Sequence, residues 1–137
     1  TDPAYSAAFM VMRDGSGTEE SVIRKGNFLK PLYLTVQNGQ YIHIERGRFI
    51  SVASAPVYNA ENGAWSGTMY KVGRDIPAGE YQISNAIGNE DGYYAILSNS
   101  NAGEYNDIDN ALFKGTRTIT LAEGQYLHMV YAICKAA

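Results

Sequence analysis

Asn38-Gly39-Gln40-Tyr41-Ile42-His43-Ile44 returns 85 residues later as Glu123-Gly124-Gln125-Tyr126-Leu127-His128-Met129. Gly, Gln, Tyr and His keep their places, and the aliphatic positions stay apolar. The same offset, held without a gap, sets Glu19 on Glu104, Ile23 on Ile108, Phe28 on Phe113 and Thr35 on Thr120. Val11 meets Ile96, Leu34 meets Ile119 and Val36 meets Leu121. A fixed register with a preserved apolar pattern is the mark of an internal repeat.

Around this stretch the period is two. Leu32, Leu34 and Val36 alternate with Tyr33 and Thr35, and Ile42 and Ile44 alternate with Tyr41, His43 and Glu45. Alternation on both sides of a short Gly-containing link predicts a β-hairpin. Asn38-Gly39 alone would fit a type I′ turn, but Glu123 holds the equivalent place and tolerates positive φ poorly. A type I turn followed by a left-handed Gly in a bulge is therefore expected in both copies. Ile76-Pro77-Ala78-Gly79 is a second turn signal, with Tyr70 and Val72 before it and Tyr81 and Ile83 after it, and predicts another hairpin. Phe9-Met10-Val11-Met12 and Tyr94-Ala95-Ile96-Leu97 are apolar on both faces, as central strands are. Residues 13–31 and 98–115 read as long excursions pinned to the core by Ile23, Phe28, Ile108 and Phe113.

The second copy has a front end, residues 69–83, whose counterpart would precede Thr1. The organisation expected is a first, incomplete repeat over 1–54, a connection over 55–66 and a second, complete repeat over 67–137, packed together as one unit. The fold class is all-β: a jelly-roll-like β-sandwich built from two repeats, the first lacking its N-terminal hairpin. The expected core is Val11, Ile23, Phe28, Leu34, Val36, Ile42 and Ile44, matched by Ile96, Ile108, Phe113, Ile119, Leu121, Leu127 and Met129. The missing hairpin is expected to bare the edge of the strand Phe9 to Met12. Cover from within the chain, or a dimer through that open sheet edge, would protect it.

Composition agrees with this class. Fourteen Gly and eleven Tyr suit short strands joined by tight turns. A net charge of −3, with scattered Lys and Arg, gives no footprint for nucleic acid. No apolar stretch approaches a membrane span. The lone Cys134 forms no internal disulfide and reads as a small apolar residue on a terminal strand.

Y-K-V-G-R-D-I-P-A-G-E-Y at 70–81, with L-A-E-G-Q-Y-L-H-M at 121–129, resembles a β-module that recurs in surface-associated and lipid-anchored proteins of Gram-positive bacteria. Residues 69–137 fit its pattern throughout, and residues 8–50 fit the later part only. The resemblance implies an extracytoplasmic module, often in tandem, and carries over no catalytic residue. It also implies that the first copy is degenerate or was trimmed upstream.

His43 and His128 are the only histidines, lying beside Tyr41 and Tyr126 on the face opposite the aliphatic residues. They could form a paired ligand or metal site if the copies faced each other; the plainer reading is two solvent-facing residues inherited by duplication. Trp65, Tyr93, Tyr105, Tyr126 and Tyr131 offer flat faces for a sugar or a protein, against the plainer reading of sheet packing. Ligand candidates are thus Tyr41, His43, Trp65, Tyr126 and His128. Glu104, Asn106, Asp107, Asp109 and Asn110 form an oxygen-rich loop without the order of a calcium loop, so no metal site is assigned. Asp14-Gly15-Ser16-Gly17 lacks the ending of a phosphate loop and reads as a turn. No catalytic residue and no cofactor is assigned. The function expected is a non-enzymatic module that binds a protein or glycan, or acts as a spacer. The rivals are a structural repeat with no ligand and a small hydrolase using a carboxylate pair drawn from Glu80, Glu90, Asp91 and Glu104.

Overall fold

The computed structural model describes residues 6–100 and 107–137. They form eleven strands: β1 Ala7–Met12, β2 Val22–Phe28, β3 Tyr41–Glu45, β4 Ala64–Trp65, β5 Met69–Lys71, β6 Gly79–Asn85, β7 Gly92–Leu97, β8 Asp107–Phe113, β9 Thr116–Leu121, β10 Tyr126–Val130 and β11 Ala132–Ala136. Among the described residues there is no α-helix, only 3-10 turns at Glu19–Ser21 and Val52–Ser54. The chain divides into two units: Thr1–Leu29 with Leu34–Pro56, and Lys30–Tyr33 with Val57–Ala137.

The second unit holds two four-stranded sheets, β5-β10-β7-β8 and β4-β11-β6-β9. All pairings are antiparallel and they nest: β4 with β11, β5 with β10, β6 with β9, β7 with β8. One long hairpin rolled over on itself would give this order. The inward side chains of both sheets share one core. Tyr70, Ile96, Phe113, Leu127 and Met129 come from the first sheet, and Tyr81, Ile83, Ile119, Leu121 and Cys134 from the second. Burial alternates along β9, β10 and β11, as expected of strands with one face on a core. β7 is buried on both faces over Tyr94 to Leu97, because a smaller cluster of Met69, Ala95 and Leu97 lies on its other side.

The first unit is a single sheet, β2-β1-β3. Its registers recur in β8-β7-β10. Phe9 opposes Gly26 and Ile44, as Tyr94 opposes Ala111 and Met129. A bulge falls at Val11/Met12 and again at Ile96/Leu97. Arg46 and Tyr131, just past β3 and β10, both have positive φ, 55° and 51°.

Both predicted hairpins are corrected by the pairing. β9 lies beside β6 while β10 lies between β5 and β7, so the link at 122–125 crosses from one sheet to the other. Likewise β5 and β6, on either side of Pro77, belong to different sheets. Period two is the same whether adjacent strands pair or face each other across a core, which is why alternation alone misled. The link has its own chemistry. Gln125 N–H donates to the Ala122 carbonyl, and Ala122 N–H donates to the Gln125 side chain at 2.8 Å. Gln40 closes 37–40 in the same way, at 2.9 Å to Gln37 N–H. Gly39 and Gly124 are the third residues of these turns, with φ of 87° and 84°; that is type II geometry, not a type I turn with a bulge.

The excursions expected over 13–31 and 98–115 contain β2 and β8. These are edge strands, and their exposed Lys25, Asn27, Asp107 and Asp109 hid the alternation. Ile23 and Ile108 are 39% and 56% exposed and do not belong to the core, because Val22, Arg24, Gly26 and Phe28 take the inward face of β2. Leu34 and Val36 lie outside any strand and are half-buried. Part of the expected connection, 55–66, is built into the second unit, where β4 pairs with β11 and Tyr58 packs on the core. The strand expected to be bare, β1, is flanked by β2 and β3; among the described residues the two edges of this sheet are β2 and β3.

Candidate functional site

The segment Tyr70 to Tyr81 owes its form to one buried carboxylate. Lys71 to Ile76 makes a tight turn: Asp75 N–H donates to the Lys71 carbonyl at 2.9 Å, and Gly73 N–H to that of Ile76 at 2.8 Å. Gly73 has φ 92°, which favours glycine, and the Glu123 carboxylate lies where a β-carbon would go. Asp75 is 3% exposed. Its Oδ1 accepts from Tyr58 N–H at 3.0 Å and from the Arg74 guanidinium at 2.9 Å. Its Oδ2 accepts from Lys71 N–H at 3.0 Å and from the Tyr33 hydroxyl. Four donors meet the four lone-pair sites of an ionised carboxylate. The Asp75 carbonyl also accepts from the Trp65 indole at 3.1 Å. Burial first, then the bond to Asp75, holds the Tyr33 hydroxyl well above its ordinary pKa. Asp75 thus fastens Tyr33, Tyr58, Lys71 and Arg74 together and has no lone pair left for a substrate proton.

Next to this hub the second unit carries a groove of about 230 Å³, lined by Lys30, Tyr58, Asn59, Glu61, Ser66 and Tyr70 among others. Asn59, Glu61 and Lys30 are exposed at its margins, Tyr58 is half-buried and Tyr70 is buried. Lys30 Nζ donates to the Ser66 carbonyl at 3.0 Å, and the Tyr70 hydroxyl accepts from Gly67 N–H at 2.5 Å. Burial raises the Tyr70 pKa, and the Glu61 charge adds to this against the opposing backbone bonds. The groove therefore offers aromatic surface, an amide, a carboxylate, an ammonium and backbone polar groups to one ligand.

The five residues singled out from sequence do not form one site. Tyr126 and His128 lie on the outer face of β10. There Tyr126 meets the edge of Tyr33 at 5.3 Å, and Lys71 Nζ stands 5.8 Å from its ring centre. His128 meets Tyr93 edge-on at 6.2 Å, and burial lowers its pKa, with Asp107 opposing. Leu32, Tyr33, Tyr93 and Tyr126 pack on Met69, Ala95 and Leu97, so this face is covered by its own unit. Trp65 is held by its bond to Asp75 and by edge-on contact with Tyr81 at 5.6 Å, which places it in packing. Tyr41 is 53% exposed, and exposed His43 lies 3.4 Å from Glu45. Both belong to the first unit.

Asp107, Asp109 and Asn110 sit on strand β8, not in a loop. Asp109 accepts from the Tyr94 hydroxyl at 2.7 Å, and Asn110 donates to Asp107 at 2.9 Å. Glu104, Tyr105 and Asn106 lie outside the described residues. Asp14 accepts from Ser16 N–H at 3.0 Å, the bond of a turn. Among the described residues no three His, Cys, Asp or Glu side chains come close enough to hold a metal. No helix among them is long and apolar enough to cross a membrane.

Sequence reasoning missed the groove and the hub. The available signal was Asp75 itself, a charged residue inside the tight Gly73 to Gly79 turn, which in a strand-rich protein is often a side chain bonding its own backbone. Compared with models of known families, with curated proteins and with solved structures, the chain gives no match.

Proposed function

We propose that the chain is a non-enzymatic, extracytoplasmic β-module that binds a glycan in the groove between Lys30, Tyr58, Asn59, Glu61 and Tyr70. The second unit is a complete jelly roll, and the described residues of the first unit are a second copy of the later part of the same module. The nested strand pairs support the jelly roll, and the registers shared at an offset of 85 residues support the duplication. The extracytoplasmic setting rests on the likeness of residues 69–137 to modules of surface proteins.

The observation that carries the binding role is the make-up of the groove. The half-buried Tyr58 ring, flanked by an amide, a carboxylate and an ammonium, suits a hydroxyl-rich ligand that packs on the ring and exchanges hydrogen bonds at the rim. The non-enzymatic reading is supported by Asp75, the buried carboxylate beside the groove, whose lone pairs are all taken by the fold.

The test is a titration of the isotope-labelled chain with neutral and acidic oligosaccharides, followed by amide shifts. Shifts at Asn59, Gly67 and Thr68, weakened at least tenfold by Asn59→Ala with Glu61→Gln, are expected. Absence of shifts at millimolar oligosaccharide would refute the glycan. Turnover of a glycoside, ester or peptide substrate that a single carboxylate substitution abolishes would refute the non-enzymatic role.

A further inference from the structure

In the second unit β6 is the shared neighbour of β9 and β11, and β5 is the outer neighbour of β10. These two strands with their turn are residues 69–85. In the first unit, among the described residues, nothing takes their places. β3, in the register of β10, pairs only with β1. Residues 31–36 and 47–51, which stand 85 positions before β9 and β11, form no strand. Their apolar side chains are nonetheless present. Leu34 and Val36 are half-buried, and Phe49 and Ile50 are 68% and 53% exposed. Phe28, Ile42 and Ile44 are only half-buried, where Phe113, Leu127 and Met129 are buried. Residues 30–33 are held by the second unit; for Leu34, Val36, Phe49, Ile50 and the half-buried Phe28, Ile42 and Ile44, a strand pair missing from the described residues accounts for the difference, since a segment with no neighbouring strand gains little by extending.

We propose that the edge of β3, with the apolar face of Phe28, Ile42 and Ile44, accepts by β-strand addition an extended segment of the 69–85 pattern, Tyr-x-Val-Gly-x-Asp-Ile-Pro-Ala-Gly-Glu-Tyr, from outside residues 6–137 of the molecule. The register follows from β10, where Tyr126 opposes Lys71, Leu127 opposes Tyr70 and His128 opposes Met69. The donor's Lys, Tyr and Met positions would then face Tyr41, Ile42 and His43. Backbone bonds supply affinity and alternate side chains supply choice. The molecule's own 69–85 is not the donor, because Tyr70, Val72, Ile76, Tyr81 and Ile83 are already buried in the second unit. A second copy joined β3 to β3 would leave Leu34, Phe49 and Ile50 without cover. The inference rests on the shared registers and is independent of the groove.

The experiment titrates the isotope-labelled full chain with an unlabelled synthetic peptide of residues 67–85 and follows amide exchange by NMR. Slowed exchange at 41–45, followed by protection at 34–36 and 47–50 as those segments become strands, is expected, with β10 and β11 unchanged. A peptide carrying Asp at the positions of Tyr70, Val72 and Ile83 should bind at least tenfold more weakly. No protection at millimolar peptide overturns the proposal, as does protection confined to the second unit. Protection of β3 that rises with protein concentration before any peptide is added also overturns it, by naming a second copy as the occupant.

Discussion

Asp75→Asn changes one atom of the hub and little of its shape. In the native protein four donors converge on the two carboxylate oxygens. An amide keeps one acceptor oxygen and turns the other into a donor, which then faces two donors. At least two hydrogen bonds to a charged acceptor are lost, each worth about 1.5–3 kcal/mol. The expected cost to the second unit is therefore about 3–5 kcal/mol, the usual range for breaking a buried charged cluster from one side. For a unit of this size that lowers the midpoint of thermal unfolding by on the order of 20 °C. Trp65 is the only tryptophan, and its indole donates to the Asp75 carbonyl, so its fluorescence in urea reports on the right place. Tyr33→Phe removes one donor, leaves three, and should cost about 1–2 kcal/mol. A loss below about 1 kcal/mol for Asp75→Asn would refute the reading of Asp75 as the fastening of the turn. Equal losses for the two variants would refute the count of donors.

Gly124→Ala and Gly39→Ala should each cost about 1–2 kcal/mol by urea unfolding; both glycines have positive φ and open space around them, so only backbone strain is at stake. Gln125→Ala should cost about 1 kcal/mol in the same assay, because it frees Ala122 N–H from its side-chain acceptor. The Cys134 thiol is buried, which pushes its pKa up to about 12, so a thiol reagent at neutral pH should modify it only as fast as the unit opens. Burial favours neutral His128 in the fold, so the unfolded chain takes up a proton first on acidification. Stability contributed by His128 is then full above the ordinary histidine pKa and falls as pH drops through the lower folded value. His128→Gln should flatten that part of a stability profile, and an unchanged slope would count against it.

How much of this was legible in the sequence depends on whether a feature is local. The repeated Gly-Gln-Tyr stretch announced β3 and β10, and Phe9 to Met12 and Tyr94 to Leu97 announced β1 and β7, since each strand carries its alternation or apolar run within itself. β2 and β8 escaped notice because an edge strand replaces apolar residues by charge on its open face. Reading Ile23 and Ile108 as anchors put the wrong face inward by one residue, which in a strand reverses every side chain. Tyr126 and His128 could not be separated from a binding face by sequence. Tyr33, which meets Tyr126, lies about ninety positions away, and Tyr93, which meets His128, about thirty-five; both are brought there only by the fold.

Pairing was the least legible feature, and the two links make the reason concrete. Residues 122–125 and 76–79 are both short and both contain Gly, as a hairpin turn would, yet each carries the chain across the core to the other sheet. Either outcome buries Leu121 and Leu127, or Val72 and Tyr81, equally well. The choice is made by distant strands. β10 finds β5 and β7 on its two sides, so β9 is left to β6. The same dependence explains the first unit. Its residues 34–36 continue an alternation as clear as that of β9, but β9 is a strand because β6 lies beside it. Alternation gives a segment the capacity to be a strand, and only a neighbour in register makes it one.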